Sequence, residues 1–154
     1  MSRIEQSVDV HVPIRVAYDQ WTQFESFPAF MDGVESVSQL DDGHSHWVMR
    51  VGNVTREFDT VITEQLPDER VAWKTVGGEL KHAGVVTFHR LDDTTTRLMI
   101  QVEWVPEGVL ERAAGVLNID AFQVKVDATR FASYVEALPE PTGGWRGTID
   151  RPAP

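Results

Sequence analysis

One periodic segment near the C-terminus constrains the fold of this chain more than any other feature. Between residues 117 and 138, apolar side chains recur every three or four positions with polar side chains between them, which predicts one amphipathic helix. Gly115 and Asn118 interrupt the preceding stretch, so we expect a short helical piece at 107–114 and then a long helix with Asn118 as its N-cap. A helix of about twenty residues is ~30 Å long and needs a wide apolar surface to pack against.

The residues before this helix supply that surface as a series of predicted strands. An alternating strand is predicted at 4–12, and six further runs between residues 34 and 105 are each followed by Asp, Asn, Gly or Pro turn residues. Because such short connections cannot make parallel crossovers, we predict a seven-stranded antiparallel sheet. The six runs are 34–40, 46–51, 54–65, 71–76, 82–91 and 97–105.

Two short helices are predicted between the first strand and the other six. Residues 14–21 have helical spacing of apolar side chains, and the segment 24–31 carries three Phe and one Met around Pro28. We expect these aromatic side chains to close one end of the core. The order of elements predicts an α+β fold with the helices on one face of the sheet.

Composition excludes several classes of function. A chain of 154 residues forms one domain of ordinary size, and the absence of Cys excludes disulfides, Cys-ligated zinc and a thiol nucleophile. A net charge of −10 opposes binding to nucleic acid. The sequence has no signal peptide and no apolar run near the ~18 residues of a membrane span, so we predict a cytoplasmic protein without membrane insertion. A small molecule or another protein is the expected partner.

Strand parity indicates which side chains face the long helix. Arg56, Thr60 and His82 share the inward face with apolar neighbours, and a polar side chain there needs a partner or water. We therefore expect Arg56 and His82 to contact a ligand, with Tyr134 as a further polar candidate. The predicted ligand-binding residues are Phe58, Thr60, Trp73, Phe88 and Trp104 on the strands and Val124, Ala128 and Phe131 on the helix.

Several stretches resemble one known family in order and spacing. Val-His-Val-Pro at 10–13, Ala-Tyr-Asp-Gln-Trp at 17–21 and Phe-Pro-Ala-Phe-Met at 27–31 resemble the opening of the START-related polyketide cyclase/dehydrase superfamily, often called SRPBCC. Pro-Asp-Glu-Arg-Val-Ala-Trp at 67–73, Gly-Val-Val-Thr-Phe at 84–88 and Thr-Thr-Arg-Leu at 95–98 continue the match. The resemblance covers about residues 4–138. It implies a helix-grip fold, a curved sheet wrapped around the long C-terminal helix with a cavity between them.

The function implied by this resemblance is broad. The superfamily includes lipid carriers, hormone receptors, quinone-binding proteins, aromatase/cyclases and protein-binding subunits. We predict binding of a hydrophobic or amphipathic small molecule that is lipid-like, polyketide-like or quinone-like. One alternative is a polyketide cyclase or dehydratase, in which His82 or Tyr134 would move protons and Arg56 would hold an enolate. Another is a protein-interaction module with a filled core.

Departures from the family pattern speak against ring-forming catalysis. Aromatase/cyclases of the family carry a pocket arginine and tryptophans on the strand before the Pro-Asp turn, and residues 60–66 contain neither. His44 and His46 could face the same side of a strand as a metal pair does, but no third ligand is nearby, so we predict no metal. No nucleotide or phosphate motif is present, and we predict no cofactor.

The chain ends in a Pro- and Gly-rich tail. We place a ligand-binding domain at 1–140 and a tail at 141–154, which cannot form a core of its own. Trp145 is a large aromatic residue in this polar segment, and leaving it in water forfeits ~2 kcal/mol of burial. We therefore expect Trp145 to dock on this subunit or on a neighbour, and a homodimer is compatible with the sequence.

Overall fold

The computed structural model describes residues 2–51, 53–78, 81–105 and 121–150, which form a curved antiparallel sheet and a long helix that packs on it. The strands are β1 (Ser2–Val10), β2 (Val34–Gln39), β3 (His44–Val51), β4 (Val54–Leu66), β5 (Arg70–Gly78), β6 (Lys81–Asp92), β7 (Thr95–Val105) and β8 (Ile149–Asp150). The helices are α1 (Ile14–Trp21), a 3-10 helix (Phe24–Ala29) and α2 (Ala121–Ala137). The helical piece predicted at 107–114 and the Asn118 cap lie outside the described residues.

The sheet has the order β1-β7-β6-β5-β4-β3-β2, so consecutive strands from β2 to β7 pair as hairpins and β1 returns beside β7. Every pairing is antiparallel, as the short turns predicted. Inward positions align across neighbouring strands, because Val86 lies opposite both Val71 and Ile100. These aligned apolar rows make one continuous inner face.

Helix α2 presents one apolar stripe to this inner face. Ala128, Phe131, Ala132 and Val135 are all buried at helical spacing, which is the pattern the sequence predicted. Polar contacts hold the helix beside β1, where the Lys125 ammonium donates to the Ser7 carbonyl. Other polar contacts of the helix reach the segment that follows β1 and the segment that precedes β2. In the described part of the chain, no helix is long and apolar enough to cross a membrane.

Residues 141–150 of the tail pack against the 1–140 region. The backbone N–H of Trp145 donates to Thr22 Oγ1 at 3.0 Å, and the Trp145 indole packs against the core, as expected for docking on its own subunit. Strand β8 pairs with the end of β4, opposite Glu64 and Gln65, where β3 no longer covers β4. The tail thus covers a strand edge that would otherwise be open, which the sequence analysis did not predict.

Candidate functional site: an apolar cavity under the long helix

A cavity of about 190 Å³ lies between the sheet and α2. The inner faces of β2 to β7 form its floor, one turn of α2 forms its roof, and the aromatic segment around the 3-10 helix closes one end. The lining residues are Trp21, Phe24, Phe27, Met31, Val34, Ser45, Trp47, Met49, Phe58, Thr60, Ile62, Val71, Trp73, His82, Ile100, Val102, Val124, Asp127 and Ala128.

The cavity wall is mostly apolar and includes six Trp and Phe rings. Trp47 and Phe58 face each other across β3 and β4, with ring centroids 6.0 Å apart and nearly parallel planes. Phe27 approaches Trp47 from the 3-10 helix with a centroid distance of 5.6 Å. Flat rings on adjacent walls favour a planar apolar occupant, because aromatic faces pack best in offset or edge contacts with other rings.

Six of the sequence-predicted site residues line this cavity: Phe58, Thr60, Trp73, His82, Val124 and Ala128. Phe88 and Phe131 are buried but do not line it. The Phe88 ring packs edge-on against Tyr18, with ring centroids 5.3 Å apart. The Phe131 ring fills the space beside Trp21, with ring centroids 5.0 Å apart. Both belong to the solid core next to the cavity. They were predicted as cavity residues because strand parity and helical spacing give the face on which a residue lies but not whether that part of the face meets the cavity.

Two of the other predicted residues, Arg56 and Tyr134, are described and do not line the cavity. Arg56 shares the parity of Phe58 but lies nearer the start of β4, where its guanidinium donates to the Thr55 carbonyl at 3.2 Å. Tyr134 lies beyond the cavity along α2 and packs on Phe30, with ring centroids 5.3 Å apart. The side chain of Trp104 lies outside the described residues.

The predicted ligand-binding residues did not include β3 or the N-terminal aromatic segment, and both line the cavity. Ser45, Trp47 and Met49 alternate along β3 and face the cavity, whereas His44 and His46 occupy the opposite parity. Period-2 alternation was visible in the sequence and could have identified them. Asp127 on α2 was also missed; it brings a carboxylate to the lining and accepts a hydrogen bond from Gln123 Nε2 at 2.8 Å.

His82 is the buried titratable group of the wall. Its Nδ1 accepts a hydrogen bond from Trp73 Nε1 at 3.1 Å, and its backbone N–H donates to Thr75 Oγ1 at 3.3 Å. The imidazole also makes an edge contact with Phe58, with centroids 4.8 Å apart. Burial lowers the pKa of His82 to about 4, so the ring is neutral at pH 7.

Two hydroxyl groups add to the polar part of the lining. Ser45 and Thr60 are paired across β3 and β4, and both are buried. Thr60 Oγ1 accepts a hydrogen bond from Trp47 Nε1 at 2.9 Å, which leaves its own O–H able to donate. The cavity therefore combines an apolar wall with a neutral imidazole, two hydroxyls and one carboxylate.

His44 and His46 lie on the outer face of the sheet, away from the cavity. His46 contacts Asp59 through Nδ1 at 2.6 Å and Glu57 through Nε2 at 2.9 Å, and the hydrogen bond to Asp59 is the main cause that raises the pKa of His46. His44 contacts Asp41 in the β2–β3 turn. Within the ranges that the structure describes, no cluster of three or more His, Asp or Glu residues is arranged to hold a metal ion.

Gly84 should be required for the position of Trp73 in the wall. The two residues are paired across β5 and β6, and a Cβ at position 84 would lie 2.6 Å from the indole ring and 2.8 Å from the Gln101 carbonyl. We expect Gly84→Ala to cost ~1–3 kcal/mol of unfolding free energy in urea denaturation, as overpacking does. The matched control is Gly77→Ala, since a Cβ there meets nothing within 4 Å. Equal stability of the two variants would contradict this account.

Comparison with known proteins defines the family. The family model described as "Polyketide cyclase / dehydrase and lipid transport" matches residues 10–129. The chain belongs to this family. An uncharacterised 17.2 kDa protein of Streptomyces lincolnensis is 52% identical over 149 residues, covering 97% of this chain and 99% of the relative. The superfamily that the residues resembled is thereby confirmed.

Three solved structures resemble the chain over most of its length. The aromatase/cyclase ZhuI from a Streptomyces species has a TM-score of 0.71 at 16% identity, covering 94% of this chain and 99% of that one. DR_A0006 from Deinococcus radiodurans has a TM-score of 0.71 at 21% identity, with coverage of 88% and 98%. A START superfamily protein from Mycobacterium smegmatis has a TM-score of 0.68 at 14% identity, with coverage of 87% and 97%. The predicted helix-grip fold is confirmed.

Proposed function

We propose that this protein binds a small hydrophobic or amphipathic molecule in the cavity beneath α2. The observation that carries the proposal is the cavity itself, about 190 Å³ of space with a largely apolar wall that includes six Trp and Phe rings and few polar groups. Cavities of this kind are the usual form of small-molecule sites, and an apolar cavity of ~150 Å³ is enough to hold benzene. The occupant is therefore a molecule with one or two rings, or a comparable part of a larger one.

Family membership supports the chemical class of the ligand. The family description names polyketide cyclases, dehydrases and lipid transport, and all three involve apolar or amphipathic molecules. A lipid-like, polyketide-like or quinone-like ligand fits the aromatic wall formed by Trp47, Phe58 and Trp73. Of the sequence-predicted site residues, we propose that Phe58, Thr60, Trp73, Val124 and Ala128 contact it, and that His82 orients it.

Cyclisation or dehydration of a polyketide is the second candidate function. It is favoured by the presence of Asp127 in the lining together with His82. A carboxylate can take a proton from a carbon between two carbonyls, while a neutral imidazole N–H stabilises the enolate oxygen that forms. Loss of turnover of a poly-β-ketone in Asp127→Asn, with binding unchanged, would establish this function; unchanged turnover would eliminate this mechanism.

The cavity should accept an added side chain that the solid core does not. Ala128 lines the cavity, whereas Ala132, one turn further along α2, is buried without lining it. We expect Ala128→Phe to abolish binding of 2-naphthol, whose emission responds to its surroundings, with little loss of stability. Ala132→Phe should instead cost ~1–3 kcal/mol in urea unfolding because it overpacks the core.

A matched control separates these effects from a general effect of an Ala-to-Phe change on the helix. Ala137 is exposed in the last turn of α2, so Ala137→Phe should change neither 2-naphthol binding nor stability appreciably. Saturable binding to the unaltered protein and to Ala137→Phe is the expected result. If 2-naphthol does not bind and Ala128→Phe destabilises as much as Ala132→Phe, the space is filled and the protein-interaction alternative replaces ligand binding.

A further inference from the structure

We propose that His82 makes the cavity selective for neutral aromatic ligands that carry a carbonyl oxygen. This inference rests on the proposed binding function and adds the chemical class of the ligand. The contact that carries it is the hydrogen bond from Trp73 Nε1 to His82 Nδ1 at 3.1 Å. The indole N–H groups of Trp73 and Trp47 are already used within the wall, since they donate to His82 and Thr60.

The Trp73 contact fixes the tautomer of His82. An indole N–H can only donate a hydrogen bond, so the nitrogen that receives it must carry the lone pair. In a neutral imidazole one nitrogen is an acceptor and the other is an N–H donor. Because Nδ1 is the acceptor here, the proton lies on Nε2, and Nε2–H is the group that His82 can offer to a ligand.

The charge of His82 is also fixed by its surroundings. Burial lowers the pKa of His82 to about 4, so the ring carries no charge near neutral pH. It therefore does not attract a carboxylate as a cationic histidine would. Asp127, the carboxylate of the same lining, accepts a hydrogen bond from Gln123 and has no proton to donate to an anionic ligand when it is ionised. These two residues together favour a neutral molecule.

The orientation of the imidazole is set before any ligand binds. The backbone N–H of His82 donates a hydrogen bond to Thr75 Oγ1, and the imidazole ring makes a T-shaped contact with Phe58. Trp73 is itself held by its close approach to Gly84 on the paired strand. A donor held in place in this way loses little freedom when a ligand accepts its hydrogen bond.

The hydroxyls and the carboxylate of the described lining do not make the same distinction. The hydroxyls of Ser45 and Thr60 can rotate to donate or accept, so they tolerate a carbonyl or a hydroxyl equally. Asp127, when ionised, can only accept. His82 Nε2–H cannot accept, and a buried donor without a partner is costly, so an acceptor oxygen on the ligand is preferred at this point.

The test compares two probes of nearly the same shape, acetophenone and α-methylstyrene, which differ in having a C=O or a C=CH₂ group. Titrations of the full-length protein followed by NMR should give affinity for acetophenone about tenfold tighter, the usual effect of one buried hydrogen bond. His82→Phe should bring the ratio close to one while α-methylstyrene still binds. Ser45→Ala, which removes a hydroxyl from the same wall and leaves the contacts of Trp73 and Trp47 in place, should leave the ratio unchanged.

Two spectroscopic readouts distinguish an orienting donor from a merely structural histidine. The carbonyl stretch of ¹³C-labelled acetophenone should move to lower frequency in the unaltered protein and return in His82→Phe. Nitrogen NMR should show His82 protonated at Nε2, and Trp73→Phe should abolish that preference for one tautomer. Protonation at Nδ1 in the unaltered protein would overturn the inference directly.

The outcomes separate this inference from the function on which it rests. Equal affinity of the unaltered protein for the two probes overturns the carbonyl preference and leaves apolar binding intact. A preference for acetophenone that persists in His82→Phe assigns the donor elsewhere and also overturns it. Failure of both probes, together with failure of 2-naphthol, overturns the proposed function and this inference with it.

Discussion

Truncation of the chain after Glu140 is expected to lower the free energy of unfolding by roughly 3–5 kcal/mol. Ile149 is buried and Trp145 packs on the core, so removing them returns a large apolar area to water. Truncation also removes Arg146, whose guanidinium contacts Asp19 at 2.5 Å and Asp68 at 2.8 Å. Urea unfolding of the truncated and full-length proteins measures the difference.

The buried amide of Gln20 accounts for part of this expected loss. Gln20 Oε1 accepts from the Thr142 backbone N–H at 2.8 Å, and Gln20 Nε2 donates to Thr142 Oγ1 at 3.1 Å. Gln20 is 0% exposed, so losing these partners would leave a polar group buried with a single weak contact to Ser26. The tail therefore completes hydrogen bonding that α1 cannot complete alone.

Point substitutions show whether the loss comes from docking or from shortening the chain. Ile149→Ala should reproduce ~2 kcal/mol of it, whereas Thr148→Ala, at an exposed neighbouring position, should change little. Truncation should also weaken 2-naphthol binding, because the tail contacts Thr22, which follows α1 and lies between Trp21 and Phe24 of the cavity wall. Identical unfolding of truncated and full-length protein would show that the tail does not dock.

Periodicity predicted the elements of this fold because each element buries one face. The stripe of α2 and the alternation along β7 both follow from burial against a common core, and their order along the chain is enough to give an α+β arrangement. Strand β8 is two residues long and too short for any pattern. Its pairing depends on where β3 ends relative to β4, which is a property of the assembled sheet.

The cavity could be predicted only in part, for a related reason. Strand parity identified Phe58, Trp73 and His82 correctly as inward residues. Parity also predicted Phe88, and helical spacing predicted Phe131, as cavity residues, although both fill the core. Whether an inward side chain meets a void or another ring depends on packing between distant elements. The contact between Trp73 and His82 likewise depends on how β5 and β6 pair, which sequence spacing alone does not give.

Acid should destabilise this protein through His82. The pKa of His82 is about 4 in the folded state, and 6.5 is the ordinary value expected when the chain unfolds. Between these values the unfolded chain binds a proton that the folded chain does not, so stability rises with pH across this window and is lost as pH falls through it. The total loss is about 3 kcal/mol from this residue, of which about 2 kcal/mol is lost by pH 5.

The prediction is tested by urea unfolding of the unaltered protein and of His82→Phe at pH 7 and at pH 5. The variant lacks the titrating group. Between pH 7 and pH 5 its free energy of unfolding should therefore fall by about 2 kcal/mol less than that of the unaltered protein, whatever its stability at pH 7.

His46 supplies the control because its linkage has the opposite sign. Hydrogen bonds to Asp59 and Glu57 raise the pKa of His46, so its contribution is present at low pH and is lost as pH rises. His46→Asn should therefore retain the acid-induced loss that the unaltered protein shows. Because His46 is on the exposed face of the sheet, its own effect should be small. Equal losses of unfolding free energy between pH 7 and pH 5 in the unaltered protein and in His82→Phe would mean that the imidazole is solvated. The assignment of His82 as a neutral donor in the cavity wall would then be wrong as well.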